Sequence, residues 1–255
     1  GNNRQPRQPQ QRSGVSPIKT NFKMNEKFIE GVSVITCTNR PEYQERIIGN
    51  CLRQYYGPVE LIIILNNNAA NLNEWEAWAQ SYNNVRVFQL DESVTLGECL
   101  NFGVQKARYG YVAKFDDDDY YADGYLQQAV DTLKVTHADI VGKCSIFVYF
   151  EGSSTLAIAH PNQEDRFASM LAGATMVIDK RVFNRVSFKA LDHGEDTEFQ
   201  NNCSQLGIKM YSTNKFNYSC IRRARTDTHT WRVEENEYLR FCHIVGRMDD
   251  FRDAV

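Results

Sequence analysis

Two groups of carboxylates hold most of the chemistry this sequence can offer. In the stretch Lys114-Phe115-Asp116-Asp117-Asp118-Asp119-Tyr120-Tyr121, four adjacent aspartates directly follow the apolar run Tyr111–Phe115. Side chains alternate along extended backbone, so Asp116 and Asp118 are expected to face one site. Such an oxygen-only pair suits a hard divalent cation, Mg²⁺ or Mn²⁺, and leaves coordination positions for the phosphate oxygens of a ligand. Without a cation, charges this close repel. The plain alternative is a solvated acidic turn. An EF-hand does not fit: a loop begun at Asp119 puts Gly124 at its turn position but Val130 where a bidentate Glu is required. The second group, His193-Gly194-Glu195-Asp196-Thr197-Glu198, opens a helical pattern. These acids either complement a helix dipole or include a general base for a hydroxyl. The residues alone leave both open.

The elements that must position these groups follow from the apolar pattern. Val32–Cys37, which is mostly β-branched, and Val59–Leu65, Val85–Gln89 and Tyr111–Phe115 are short, largely apolar runs of strand length. Between them Tyr43–Gln54, Leu72–Tyr82 and Leu96–Ala107 show helical spacing, the first closed by Gly57-Pro58. Alternation at this spacing implies right-handed crossovers and a mainly parallel central sheet with helices on both faces, an α/β fold. Ligands of such sheets bind at the carboxyl ends of strands, where the acidic run lies. Beyond it, Tyr125–Val135 predicts a helix, and Asp139–Phe150 with Thr155–Ala159 two strands around Glu151-Gly152. Thr175–Ile178 predicts a strand, Asp196–Leu206 a helix, and residues 233–250 a C-terminal helix.

With 255 residues, 42% of them hydrophobic, the chain can fill one large core. Residues 1–28 are rich in Gln, Asn, Arg and Pro without hydrophobic period, and are expected to form a flexible basic arm. Arg4, Arg7, Arg12, Lys19, Lys23 and Lys27 against Glu26 and Glu30 put +4 on the first 30 residues and −7 on the rest. An acidic body argues against nucleic-acid binding. Seven scattered cysteines without a C-x-x-C pair, and no apolar run of membrane-spanning length, predict reduced thiols and a cytoplasmic setting.

Read in order, VSVITCTNR, VELIIILNNN, LGECLNFGVQKA, YVAKFDDDDYYADGYL, LAGATMVI and HGEDTEFQNNCSQLG resemble the inverting glycosyltransferases of the GT-A fold, family two, from about Gly31 to Trp231. The resemblance implies a nucleotide-diphosphate sugar donor, UDP-linked by default, a saccharide or glycoconjugate acceptor, and Mn²⁺ or Mg²⁺. It divides the body at 29–255 into a nucleotide-binding half over about 31–120 and an acceptor half over about 121–232. Asp116-Asp117-Asp118 is similar to the family's D-x-D, with Asp118 and Asp116 on the metal and His229 as a further ligand. Thr38, Asn39, Arg40, Asn66 or Asn67, Asn101 and Lys114 fall where the donor nucleotide is held. Arg222, Arg223 and Arg225 bring guanidinium groups suited to a diphosphate. Gly173-Ala174 resembles the small-residue loop on the acceptor side, and Glu195-Asp196 the E-D pair in which the aspartate takes the acceptor proton. Two positions depart from the pattern. Leu65-Asn66 replaces an acidic pair, and Leu100 stands where many relatives have an arginine. The alternatives are a nucleotidyltransferase, although the loop TNRPEYQER lacks the glycines that class uses, and a non-catalytic member that binds a sugar nucleotide.

Overall fold

The computed structural model describes residues 27–225, 229 and 234–255. Its first half follows the spacing closely. β1 (Val32–Thr38), β2 (Val59–Leu65), β3 (Val85–Gln89) and β4 (Tyr111–Lys114) are parallel, linked by α1 (Gln44–Leu52), α2 (Leu72–Ala79) and α3 (Leu96–Lys106). Almost every residue of β1, β2 and β4 is buried, as parallel strands covered on both faces require. Local chemistry sets where the helices begin. Asn71 caps α2 by accepting the Glu74 backbone N–H, and Thr95 with Glu98 forms a capping box on α3. Because β2 lies on one side of β1 and β4 on the other, the sheet reverses its direction of growth at β1. A crevice opens at such a reversal, and Thr38 and the acidic run stand on its two sides.

The second half consists of β5 (Tyr120–Tyr121), α4 (Tyr125–Thr136), β6 (Ile140–Gly142), β7 (Ile146–Phe150), β8 (Thr155–Ala159), β9 (Arg166–Ala168), β10 (Val177–Asp179), α5 (Glu195–Gln205), β11 (Met210–Ser212), β12 (Tyr218–Arg222), α6 (Glu235–Leu239) and β13 (Cys242–Arg247). The central sheet has the order β3-β2-β1-β4-β10-β6-β11-β9, with β10 antiparallel to both neighbours. A second, five-stranded sheet runs β13-β8-β7-β12-β5. The hairpin around Glu151-Gly152 is present as β7 and β8.

Two expectations are corrected here. The acidic run is not extended: β4 stops at Lys114 and residues 117–119 turn. The predicted helix over 233–250 is a helix only over Glu235–Leu239, after which Cys242–Arg247 pairs antiparallel with β8. The run Cys-His-Ile-Val-Gly has weak helix propensity, and the free edge of β8 offers its backbone partners. Of the arm expected over residues 1–28, only the last two residues are described. Phe28 packs edge-on against Tyr111, ring centroids 5.1 Å apart, while residues 1–26 lie outside the described residues.

One buried lysine underpins the loop over 172–175. The backbone of Lys143 accepts from Ala172 and donates to Thr175 Oγ1, and its Nζ donates to Gln128 Oε1, Thr213 Oγ1 and Asn214 O at 2.8–2.9 Å. Burial lowers this ammonium from the ordinary lysine range to about 7, although Glu164 and Asp165 pull the other way. Between pH 7 and the ordinary lysine pKa the unfolded chain therefore holds a proton that the folded chain does not. This group's contribution to stability is expected to fall as pH drops from 10 to 7, by up to about 1.4 kcal/mol per pH unit, and to level off below 7. Urea denaturation of wild type and Lys143→Met across that range checks it. A difference between the two that does not vary with pH would show that Lys143 stays protonated.

Candidate active site

The carboxyl ends of β1, β2 and β4 open into a cavity of about 820 Å³. The acidic turn forms its floor, and each aspartate has a separate task. Asp117 is framework: Thr38 Oγ1 donates to its Oδ2 at 2.7 Å, Arg40 Nε donates to the same oxygen at 3.0 Å, and Arg40 Nη2 bonds its Oδ1. Asp119 is framework too, with Tyr218 donating to Oδ2 at 2.6 Å and the Ile221 N–H to Oδ1 at 3.2 Å. Burial, together with the charges of Asp118 and Asp116, holds the Asp119 carboxyl well above the usual range. The turn is clamped from behind, since Asn50 donates to Asp119 O and accepts from the Tyr121 N–H, and Arg46 donates to Asp118 O.

Asp116 and Asp118 face the cavity. Lys114 Nζ lies 3.0 Å from Asp116 Oδ1. Asp118 Oδ2 receives Arg223 Nη1 at 2.8 Å and Arg40 Nη2 at 3.3 Å. Burial alone would raise the Asp118 carboxyl, but the Arg223 hydrogen bond and the two guanidinium charges outweigh it and hold it below its ordinary value. Asp116, Asp118 and Asp119 place oxygens within 4.8 Å of one another. That all-carboxylate set matches the donor chemistry of a hard divalent cation.

The opposite wall carries the second acidic group. Gly194, with φ +74°, leads into α5, whose first turn holds Glu195, Asp196 and Glu198, so these acids complement the helix dipole, and Glu195 and Asp196 also face the cavity. Burial raises the Glu195 carboxyl. Asp196 faces Gly173 across a gap too small for a methyl group: a Cβ built on Gly173 would lie 1.5 Å from Asp196 Oδ2. The Gly173 carbonyl in turn is 3.5 Å from Lys114 Nζ. Burial would lower the Lys114 ammonium, yet the charges of Asp116, Asp196 and Glu195 push it upward. Lys114 is thus the electrostatic bridge between the two acidic groups. Tyr121 is a second link, accepting the Asp116 N–H and donating to Ala174 O at 2.6 Å.

Most of the residues expected in the site meet here. Thr38, Asn39, Arg40, Asn66, Lys114, Asp116, Asp117, Asp118, Ala174, Glu195, Asp196, Arg222 and His229 line this one cavity, and Gly173 touches it through Asp196. Of the paired asparagines it is Asn66 that lines it, while Asn67 turns back to accept the Ala69 N–H at 2.8 Å. Asn101 is turned away. Its amide donates to Phe188 O at 2.7 Å and accepts from Phe188 N at 2.9 Å, anchoring the segment that leads to Asp196. Arg225 is exposed and does not line the cavity. His229 arrives with Arg223 instead of with the aspartates. Its Nε2 accepts the Arg223 backbone N–H at 2.7 Å, and burial with the charges of Arg222 and Arg223 lowers it to about 4. The framework role of Asp119 and the contact of Arg223 with Asp118 went unread. Four identical residues in a row carry no signal of which one turns inward, and the partners of Asp119 lie about a hundred positions away.

Solved structures of similar shape place this architecture in the GT-A class. TarS from S. aureus, residues 1–349 with UDP-GlcNAc, superposes with a TM-score of 0.60 at 18% identity, over 76% of this chain and 59% of that one. The mannosyltransferase PcManGT from Pyrobaculum calidifontis, with GDP-Man and Mn²⁺, gives 0.57 at 15% identity, over 81% and 58%. The chain belongs to glycosyl transferase family 2, whose model matches residues 33–192. Among curated proteins, the O-antigen biosynthesis glycosyltransferase WbnJ of Escherichia coli is 25% identical over 167 residues, 62% of this chain and 65% of that protein. The chain thus spans less than two thirds of the length of these relatives. No helix among the described residues is long and apolar enough to cross a membrane.

Proposed function

We propose that this chain is an inverting, metal-dependent glycosyltransferase that moves a sugar from a nucleotide-diphosphate donor, UDP-linked by default, to a hydroxyl of a saccharide or glycoconjugate. The observation that carries this reading is the meeting of Asp118 and Asp116 with Asp196 in one cavity, on opposite walls, with Lys114 between them. Asp116 and Asp118 would hold Mn²⁺ or Mg²⁺, which when bound supplies an electrophile that stabilises charge on a departing diphosphate. Thr38, Asn39 and Asn66, at the ends of β1 and β2, receive the nucleoside. Asp196 takes the proton of the acceptor hydroxyl as that oxygen bonds to the anomeric carbon and the nucleoside diphosphate leaves from the opposite face, inverting the configuration. Arg222 lines the cavity and Arg223 reaches Asp118, so both guanidinium groups stand where phosphate charge would accumulate. We keep a cytoplasmic setting within the proposal on the strength of the seven scattered thiols.

Calorimetric titration with UDP, GDP and dTDP, each with and without Mn²⁺, tests the reading. Metal-dependent binding of one nucleotide, UDP by default, is expected. Absence of binding by all three would favour a non-catalytic member of the family.

A further inference from the structure

We propose that Arg223 is the resident counter-ion of Asp118 and that a divalent cation binds by displacing it, so that this arginine sets the cation affinity of the site. The inference rests on the donor-site reading above and deepens it.

Two guanidinium groups reach Asp118 Oδ2, and they are held differently. Arg40 is committed to Asp117 through both Nε and Nη2 and sits over the Tyr43 ring at 4.8 Å, so its contact with Asp118 at 3.3 Å is secondary. Arg223 approaches from just beyond the end of β12 and makes the shorter contact, Nη1 at 2.8 Å. Its backbone is anchored independently: β12 ends at Arg222, and the Arg223 N–H donates to His229 Nε2. With the backbone held, Nη1 can leave Asp118 by side-chain rotation about the contact of Nη2 with His229 Nδ1 at 3.4 Å, and the guanidinium lies 5.8 Å from the Tyr43 ring, farther than Arg40, while the pairing of β12 stays intact. A carboxylate oxygen engaged at that distance by a guanidinium does not present the same lone pairs to a metal, and a divalent ion placed beside Arg223 would repel it. Once displaced, the planar fork stays beside Arg222 and His229, which line the cavity. There its geometry matches paired phosphate oxygens. Cation and diphosphate should therefore bind cooperatively, because the diphosphate accepts the arginine that the cation expels.

The test is Mn²⁺ binding to the full chain, read from the electron paramagnetic resonance signal of the free aquo ion, with Mn²⁺ alone and then with UDP. Arg223→Ala is expected to bind Mn²⁺ alone about ten-fold more tightly than wild type, from removal of one adjacent positive charge. Arg223→Lys, which keeps the charge, should stay near wild type. UDP should tighten Mn²⁺ binding more in wild type than in Arg223→Ala, and Asp118→Asn should lose Mn²⁺ binding in either background. Arg223→Gln, of similar length but uncharged, replaces the alanine variant if a thermal melt shows the latter unfolded. Binding that is lost in Asp118→Asn but unchanged or weaker in Arg223→Ala and Arg223→Gln overturns this inference alone. Failure of every form to bind Mn²⁺, with or without nucleotide, overturns the donor-site reading and this inference with it.

Discussion

Replacing Asp196 by asparagine is expected to lower sugar transfer by about 10²- to 10⁴-fold while leaving nucleotide binding within about two-fold of wild type, the range general-base catalysis supplies. The separation follows from the layout. Asp196 stands at the start of α5, on a different element from the acidic turn, and its Oδ1 accepts the Thr197 N–H at 2.8 Å. Asparagine preserves the shape but cannot take a proton. Transfer rates at saturating donor, set beside calorimetric binding of the nucleotide, give the two readouts. A variant that transfers at the native rate would remove Asp196 from the role of base and leave Glu195, the neighbouring carboxylate, as the candidate to examine.

Gly173→Ala should be nearly as damaging, although it removes no functional group. The added methyl would lie 1.5 Å from Asp196 Oδ2, so either the base or the loop over 172–175 must move. That loop has little freedom: Ala172 donates to Lys143 O, Thr175 donates to Ala172 O through its hydroxyl, and Tyr121 and Tyr125 donate to the carbonyls of Ala174 and Thr175. The Asp196 side chain is held by fewer hydrogen bonds than that loop and is expected to be displaced. A shift of about 1 Å at a reacting group costs on the order of 10²-fold in rate. Transfer should fall by about that factor with a small change in melting temperature, as measured by steady-state kinetics and calorimetry. Native activity in this variant would mean that the loop yields and that the close approach has no functional weight.

The first half of the fold was legible because its strands are long and its signals agree. Apolar runs of five to seven residues, helical spacing between them and Gly57-Pro58 at a boundary all point to one arrangement, and Asn71 and Thr95 then cap two of its helices. In the later half β9 and β11 were not legible, because they have only three residues each and exist through pairing with distant strands. Arg166–Ala168, for instance, is largely exposed and becomes a strand through Met210–Ser212. The same limit applies to the site. Asp116, Asp118 and Asp196 stand out by composition and order, whereas the tasks of Asn101, Asp119 and Arg223 are set by partners about ninety to a hundred positions away. Even the pairing of Asp116 with Asp118 was anticipated from a strand period that the chain does not follow. A turn held by Asn50, Arg46 and Tyr218 brings them together instead.

The acidic turn is also the passage by which the chain leaves one sheet for the other, since β4 ends just before it and β5 begins just after it. Everything upstream of that passage builds the floor on which the proposed donor rests. The wall bearing Gly173, Glu195 and Asp196 is supplied by later segments that return to it. In evolutionary terms this splits the risk of change. Drift in the returning segments can reshape what the wall admits without touching the strands that carry Thr38 and Lys114, so a lineage of such chains could diversify its acceptors while keeping one way of holding the donor.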